Sequence, residues 1–444
     1  MTRTTLYGWG RTTPSVANLA EPLDEETVVE QLATGAPLIA RGLGRSYGDA
    51  AQLSGGLVLS NLALDDLGTI DEHGVVRVGA GVSIDRILQT SIPQGWFVAV
   101  TPGTRQVTVG GAIAADVHGK NHHRDGAFAQ HVRELRLVTP SGVVDVSPTS
   151  DAPLFWATAG GMGLTGVVTA ATIQMTRLET DQVLVDTERF DDLDGVMAAM
   201  RARDHLYQYS VAWVDCMTRG AHMGRAILTR GNHATASDLD RITLKAPKSA
   251  RLGVPFDAPS GLLNPLSVRV FNEFWYRSAP RNQQNEAQEI ATFFHPLDGV
   301  RDWNRLYGKR GFVQYQFCVP EDAAETIVEA VKRLSSSGVA SFLAVLKRFG
   351  PADPGPLSFP MPGWTLALDL PVGPRALAQV LDDLDELVLG AGGRVYFAKD
   401  ARLAPEKVRA MYPRVGEFLE VKNRVDPRHQ MSSDLARRLQ LVGT

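Results

Sequence analysis

The alternation of apolar and polar positions changes character near residue 180. Before it, short β-type runs recur at close spacing: "PLIARG", "GLVLSN", "GVVRVGAG", "VRELRLVTP" and "GVVTAATIQM". Between them lie only short helical patterns, "DEETVVEQLA" and "SIDRILQTS". Short strands and short helices separated by glycine predict an α+β unit. After residue 180 the runs lengthen. "YQYSVAWVDC", "GRAILTRG", "GFVQYQFCVP", "SFLAVLKRFG", "GWTLALDLP" and "GRVYFAKD" read as strands. "EDAAETIVEAVKRLSSSG" and "GPRALAQVLDDLDELVLGAG" carry the 3.6-residue apolar period of helices that pack one face on a sheet. Glu321 and Asp322 are expected to open the first of these, and Pro374 to sit near the N1 position of the second. An antiparallel sheet with helices on one face follows. Residues 232–268, rich in Pro, Ser, Gly and Lys, predict a long loop or lid. The chain then returns to helix in "APEKVRAMYPRVGEFLEVKNRV" and "SDLARRLQLV".

Composition narrows the function classes. With 444 residues and 44% hydrophobic content, the chain can build more than one core. A formal net charge of −4, without a basic run, argues against nucleic-acid binding. Cys216 and Cys318 are the two cysteines, too few for a disulfide scaffold. The first fifteen residues hold no apolar stretch of the secretory type, and no window reaches the roughly 18–20 apolar residues of a membrane span. Attachment to a membrane surface stays open, because a few exposed apolar groups suffice for it.

Three glycine-rich segments carry the chemistry. In "ARGLGRSYGDAA" (40–51), Gly42, Gly44 and Gly48 permit a tight turn whose N–H groups can cradle phosphate, with Arg41 and Arg45 adding charge. "GGMGLTG" (160–166) contains a formal GxGxxG, but a helical pattern precedes it and a strand follows. That is the reverse of a Rossmann fingerprint, so a classical dinucleotide site is excluded. "VGGAIAADVHGKNHHRDG" (109–126) places His118, His122, His123 and Lys120 together. Without HExxH or CxxC, and with a lysine inside the cluster, no metal is expected there. A solvated loop and contact with a redox cofactor both remain.

"ARGLGRSYGD", "PGTRQVTVGGAIAADVHGKNHH" and "LFWATAGGMGLTG" together resemble the vanillyl-alcohol-oxidase superfamily of flavoproteins, with its PCMH-type FAD-binding domain. "GWGRTTPSVAN", "FFHPLDGVRDWNRLYG", "QYQF", "PLSFPMPGW", "YFAKDAR" and "MYPRV" extend the similarity from about residue 6 to about residue 440. They narrow it to the actinobacterial branch that acts on a decaprenylphosphoryl ribose.

The resemblance implies an FAD domain of residues 1–179 completed by 394–444, with a substrate domain of 180–393. It implies non-covalent FAD, with the phosphates on Ala40, Arg41, Gly42, Leu43, Gly44, Arg45, Ser46, Tyr47, Gly48 and Asp49. The flavin would lie along Gly103, Thr108, Val109, Gly110, Gly111 and His118, with Val168 and Tyr396 completing the site. Substrate would meet Tyr47, Trp213, Gln314, Gln316, Lys347 and Thr365, the last standing where the family has asparagine. Phe294 replaces a tyrosine and Ala367 a cysteine of mycobacterial members.

The implied reaction oxidises the ribose 2′-hydroxyl to a ketone. It is the first half of an epimerisation to the arabinose lipid used for cell-wall arabinan, and an NADH-dependent keto-reductase would act second. Lys399, His118 and Lys120 are the catalytic candidates, because a desolvated lysine can take the hydroxyl proton. Alternation on "VQYQFC" sets Gln314 and Gln316 on one face, suited to a polyhydroxylated ring. An alditol or sugar-lactone oxidase using free sugar is the competing enzyme, and a flavin-binding scaffold the competing non-enzyme. Peripheral membrane association is expected, through "RLGVPF" and "GLLNPL".

Overall fold

The computed structural model describes residues 1–442 apart from Ser249, Arg251, Ser260 and Phe342. Three of these fall in the predicted loop and Phe342 in a predicted strand, so that loop and that strand lie partly outside the described residues. The described residues form three main sheets and a small two-stranded one.

The first main sheet orders Thr2–Leu6, Ser15–Ala20, Leu57–Ser60 and Leu38–Arg41, its last two pairings parallel. The second is built on the long strand Val167–Arg177, which pairs with Val75–Gly79, Val132–Thr139 and Trp96–Val98. The helices Glu25–Ala33, Ile84–Ser91 and Val109–Ala114 pack on strands of this second sheet. Each is capped by a side-chain oxygen, from Asp24, Ser83 and Thr108.

The third sheet has eight strands, in the order Asn282–Glu289, Gln182–Phe190, Ala226–His233, Tyr209–Val214, Ala344–Phe349, Gly363–Pro371, Phe312–Pro320 and Arg394–Val395. Every pairing in it is antiparallel. The Phe312–Pro320 strand alternates as its sequence requires. Tyr315 points to the helix Leu377–Gly390, where its hydroxyl donates to Asp385 at 3.0 Å. Gln314 and Gln316 point the other way. Register then aligns Trp213, Val345, Ala367 and Gln316 across four strands, one row on one face. The sheet therefore has a helix-covered face and a face that lines a cavity.

Several expectations need correction. The helix Leu377–Gly390 starts after Ala376, so Pro374 lies ahead of N1. Glu321 and Asp322 sit in a separate 3₁₀ turn, and the helix runs Glu325–Ser337. The strand expected through "GRVYFAKD" is only Arg394–Val395, and Lys399 lies in the turn beyond it. The loop predicted over 232–268 ends early, because the helix Pro265–Ser278 starts inside its last residues; its N-cap Asn264 accepts from Leu266 and Ser267. The stretch along which the flavin would lie contains the short helix Val109–Ala114.

Candidate active site

A cavity of about 840 Å³ opens between the glycine-rich loops and the eight-stranded sheet. One wall is the turn after Leu38–Arg41. Here Gly42 packs so closely on Thr108 that a Cβ would stand 2.2 Å from its Oγ1, and Gly44 takes φ +64°, where a side chain is strained. The backbone N–H groups of Leu43, Gly44 and Arg45 meet no backbone acceptor among the described residues. A run of such groups is an anion nest. Arg45 lies over the Trp9 ring at 3.8 Å with its Nε unpaired. Arg41 is committed differently: its guanidinium donates to the carbonyls of Tyr7 at 2.7 Å and Ala51 at 2.9 Å, which holds the turn closed.

His118 is the floor. Gln316 Nε2 donates to its Nε2 at 2.9 Å, and Phe349, Phe359 and Tyr396 enclose the ring. Burial, reinforced by Lys347, pushes its pKa well down, so the imidazole is neutral. Its Nδ1 meets no hydrogen-bond partner among the described residues. Tyr396 is fixed by donating to the Ala115 carbonyl at 2.7 Å and by stacking on Phe359.

Three lysines converge above this floor. Lys399 Nζ stands 4.1 Å from the Tyr47 ring centroid. Lys120 donates to the Phe293 carbonyl, over the Phe293 ring. Lys347 donates to Gly119 at 3.4 Å. Burial lowers the pKa of Lys399 to about 7, of Lys120 to about 7 and of Lys347 to about 8. Lys347 adds its charge against the other two. Beyond the lysines the wall turns apolar, with Val211, Trp213, Ile227, Phe271, Trp275 and Phe293. Among the described lining residues are five cationic side chains, from Arg41, Arg45, Lys120, Lys347 and Lys399, and no Asp or Glu.

Most of the sequence-predicted residues line this cavity: Ala40 to Tyr47, Gly103, Thr108, Gly110, Gly111, His118, Lys120, Val168, Trp213, Gln314, Gln316, Lys347, Tyr396 and Lys399. Four do not. Gly48 packs against the Asp400 carbonyl, and Asp49 forms an ion pair with Arg438 at 2.8 Å. Val109 is buried in the core under the cavity wall. Thr365 lies behind Gln316, accepting from its amide at 3.2 Å and donating to the Phe317 carbonyl at 2.9 Å.

The sequence reading missed Asp369. This fully buried carboxylate accepts from Gln314 Nε2, with the Tyr307 hydroxyl at 3.5 Å. Burial raises its pKa to about 7 against the pull of Gln314 and Lys399. Alternation on "GWTLALDLP" puts Asp369 on the face of Thr365 and Ala367 and could have found it.

Comparison with known proteins agrees with this geometry. Residues 18–147 match the FAD binding domain family model. Decaprenylphosphoryl-beta-D-ribose oxidase of Mycolicibacterium smegmatis is 44% identical over 98% of this chain and 97% of its own length. A Streptomyces coelicolor protein from the mprA 5′ region, of uncharacterised function, is 40% identical over 81% of this chain and 100% of its own. Cytokinin dehydrogenase 10 of Oryza sativa is 32% identical, but over 30% of this chain and 26% of its own.

Proposed function

Because the chain belongs to the decaprenylphosphoryl-β-D-ribose oxidase family of FAD-dependent oxidoreductases, we propose that it oxidises the 2′-hydroxyl of a polyprenylphosphoryl ribose to the ketone. The observation that carries this reading is the charge of the cavity. Beyond the two arginines at the glycine turn, three lysines and, among the described lining residues, no Asp or Glu face a space whose far end is apolar. An anionic sugar with a prenyl tail matches that gradient, and a free alditol or sugar lactone does not.

The residues fit FAD. The nest at Leu43–Arg45 with the unpaired Arg45 Nε suits the diphosphate, and the orphaned His118 Nδ1 faces the same cavity. When bound, the cofactor supplies the hydride acceptor. Attachment is non-covalent in this reading, supported by a neutral His118 whose Nε2 is already engaged by Gln316. Residues 1–179 with 394–444 would form the FAD domain and 180–393 the substrate domain. The change of sheet at Gln182, and the return of the chain after Val395 to pack on the glycine loops, support that division.

The protein's own groups do the rest. Gln314 and Gln316, fixed by Asp369 and by His118 with Thr365, present two amides to the ring hydroxyls. Lys347 offers an ammonium to the phosphate. Lys399, whose pKa burial lowers to about 7, can take the hydroxyl proton. The ammonium so formed stabilises negative charge entering the cavity. The 2-keto product would leave for an NADH-dependent keto-reductase.

The test is an anaerobic titration of purified holoprotein. A polyprenylphosphoryl ribose should bleach the flavin absorbance, whereas ribose and alditols should not. Acid precipitation of the same sample should leave the flavin in the supernatant. Bleaching by free sugar would move the assignment to an alditol or lactone oxidase, and a yellow pellet would show a covalent link.

A further inference from the structure

Eight of the eighteen exposed large apolar side chains among the described residues fall between Leu252 and Trp275. Three of them, Leu266, Val270 and Phe274, repeat at i, i+4 and i+8 on the helix Pro265–Ser278 and are 73%, 63% and 69% exposed. That spacing makes one stripe. Val268 and Asn272 lie on the opposite side and anchor the helix: Val268 packs on Met217 and Ala340, and Asn272 donates to Asp215 at 2.7 Å. The stripe is thus held outward by a firmly seated helix. The preceding loop adds Leu252, Phe256 and Leu262.

Three observations say what covers this stripe. First, Phe271 and Trp275, stacked on each other at 6.2 Å on the same helix, line the cavity described above, so the apolar wall runs from the cavity to the protein surface. Second, residues 241–281 carry seven Lys and Arg against two Asp and Glu, in a chain whose net charge is −4. The apolar stripe therefore lies in the basic part of an acidic molecule. Third, fourteen residues at about 1.5 Å rise give a helix near 21 Å long, too short to cross the roughly 30 Å of a bilayer core and suited to lying in the interface plane.

We infer that the face Leu266–Val270–Phe274 docks the protein on an anionic lipid bilayer, with the cavity mouth against the membrane so that a prenyl tail passes between lipid and enzyme. This rests on the lipid-phosphate reading of the substrate. It locates membrane contact mainly on a helix just beyond the 232–268 segment through which the sequence pattern expected it.

The test uses the FAD-loaded full chain and sedimentation with vesicles of equimolar phosphatidylcholine and phosphatidylglycerol. The wild type should bind these and bind pure phosphatidylcholine vesicles less tightly. The double replacement Val270→Glu, Phe274→Glu should weaken binding about 100-fold, by removing two buried apolar side chains and adding charge that anionic lipid repels. Leu266→Gln, a milder change on the same stripe, should weaken it about tenfold. In both variants a water-soluble short-chain prenylphosphoryl ribose should reduce the flavin at the wild-type rate, because none of the three residues lines the cavity. Vesicle binding by the double variant equal to wild type would overturn the inference. So would absence of wild-type binding, or a concentration-dependent oligomer that the double variant abolishes, since the stripe would then belong to a second copy. A wild type that binds vesicles in the expected way but is not bleached by the soluble substrate would leave the docking surface standing and remove the substrate reading.

Discussion

Three lysines share one desolvated space, and their roles separate by neighbour. Lys399 differs from the other two in facing a carboxylate: the charge of Asp369 raises its pKa, while burial and Lys347 lower it to about 7. A base with that value is protonated and idle below pH 7 and free above it. Flavin reduction by substrate should therefore rise with pH through about 7 and then level. Lys399→Met keeps most of the stem and removes the amine. It should leave a folded yellow protein whose reduction rate, read by stopped flow at saturating substrate, is about 100- to 1,000-fold lower. A rate within a few-fold of wild type would remove Lys399 from the chemistry. Asp369 acts through others, by fixing Gln314 and by holding up the Lys399 pKa. Asp369→Asn keeps a group that Gln314 can reach and deletes the charge. The rising limb of the pH profile should shift to lower pH, and an unshifted limb would reduce Asp369 to packing.

At the scale of elements, the C-terminal helices are tied to two of the glycine loops. Lys422, fully buried in the helix Val415–Val425, donates to Asp426 at 2.7 Å, to Leu164 O at 3.2 Å and to Met431 O at 2.9 Å. It ties the 160–166 glycine loop to the chain end. Arg438 does the same for the 40–51 loop, pairing with Asp49 and Asp400 at 2.8 Å each. Lys422→Met would leave the Asp426 carboxylate buried without its counter-ion, held only by the N–H groups of Gln430 and Met431, at a cost of about 3–5 kcal/mol. A melting temperature lowered by several degrees, with FAD bound more weakly, is the expected result, and unchanged melting would refute it. The strands were legible in the sequence because they are short apolar, β-branched runs bounded by glycine and turn residues: Leu57–Ser60 and Phe312–Pro320, buried along most of their length, and Val75–Gly79 stand where those runs put them. The helix Pro265–Ser278 was not, because its apolar stripe faces outward and Pro265 with Asn264 reads equally as a turn. Within the site, glycine spacing and lysines next to β-runs pointed to the cavity. The commitments of Arg41, Asp49 and Thr365 to other protein groups depend on long-range packing that no local pattern encodes.

The whole molecule is acidic outside and basic at its centre. A net charge of −4 surrounds a cavity lined by five cations and, among its described residues, no acid. Folding has suppressed part of that positive charge by desolvation, holding Lys120, Lys347 and Lys399 at about 7, 8 and 7 instead of the ordinary 10.5. Between pH 7 and 10.5 the unfolded chain therefore binds protons that the folded one does not, and these three groups make stability rise with pH across that window. An anion entering the cavity reverses the suppression, because it favours the ammonium form. Binding of a prenylphosphoryl ribose should then be coupled to proton uptake. Its phosphodiester keeps a single charge from pH 6 to 8, so the ligand contributes nothing to the count. At pH 8 the lysines are half or more deprotonated, and uptake of roughly one proton is expected; at pH 6 they are already charged, and uptake should vanish. Calorimetric titration of the holoprotein in Tris and in HEPES separates the two, since the apparent enthalpy changes with buffer ionisation in proportion to the protons taken up. Equal enthalpies in both buffers at pH 8 would mean that the cavity lysines are fully charged before the substrate arrives, and Lys399 would then be an electrostatic group without a proton to accept.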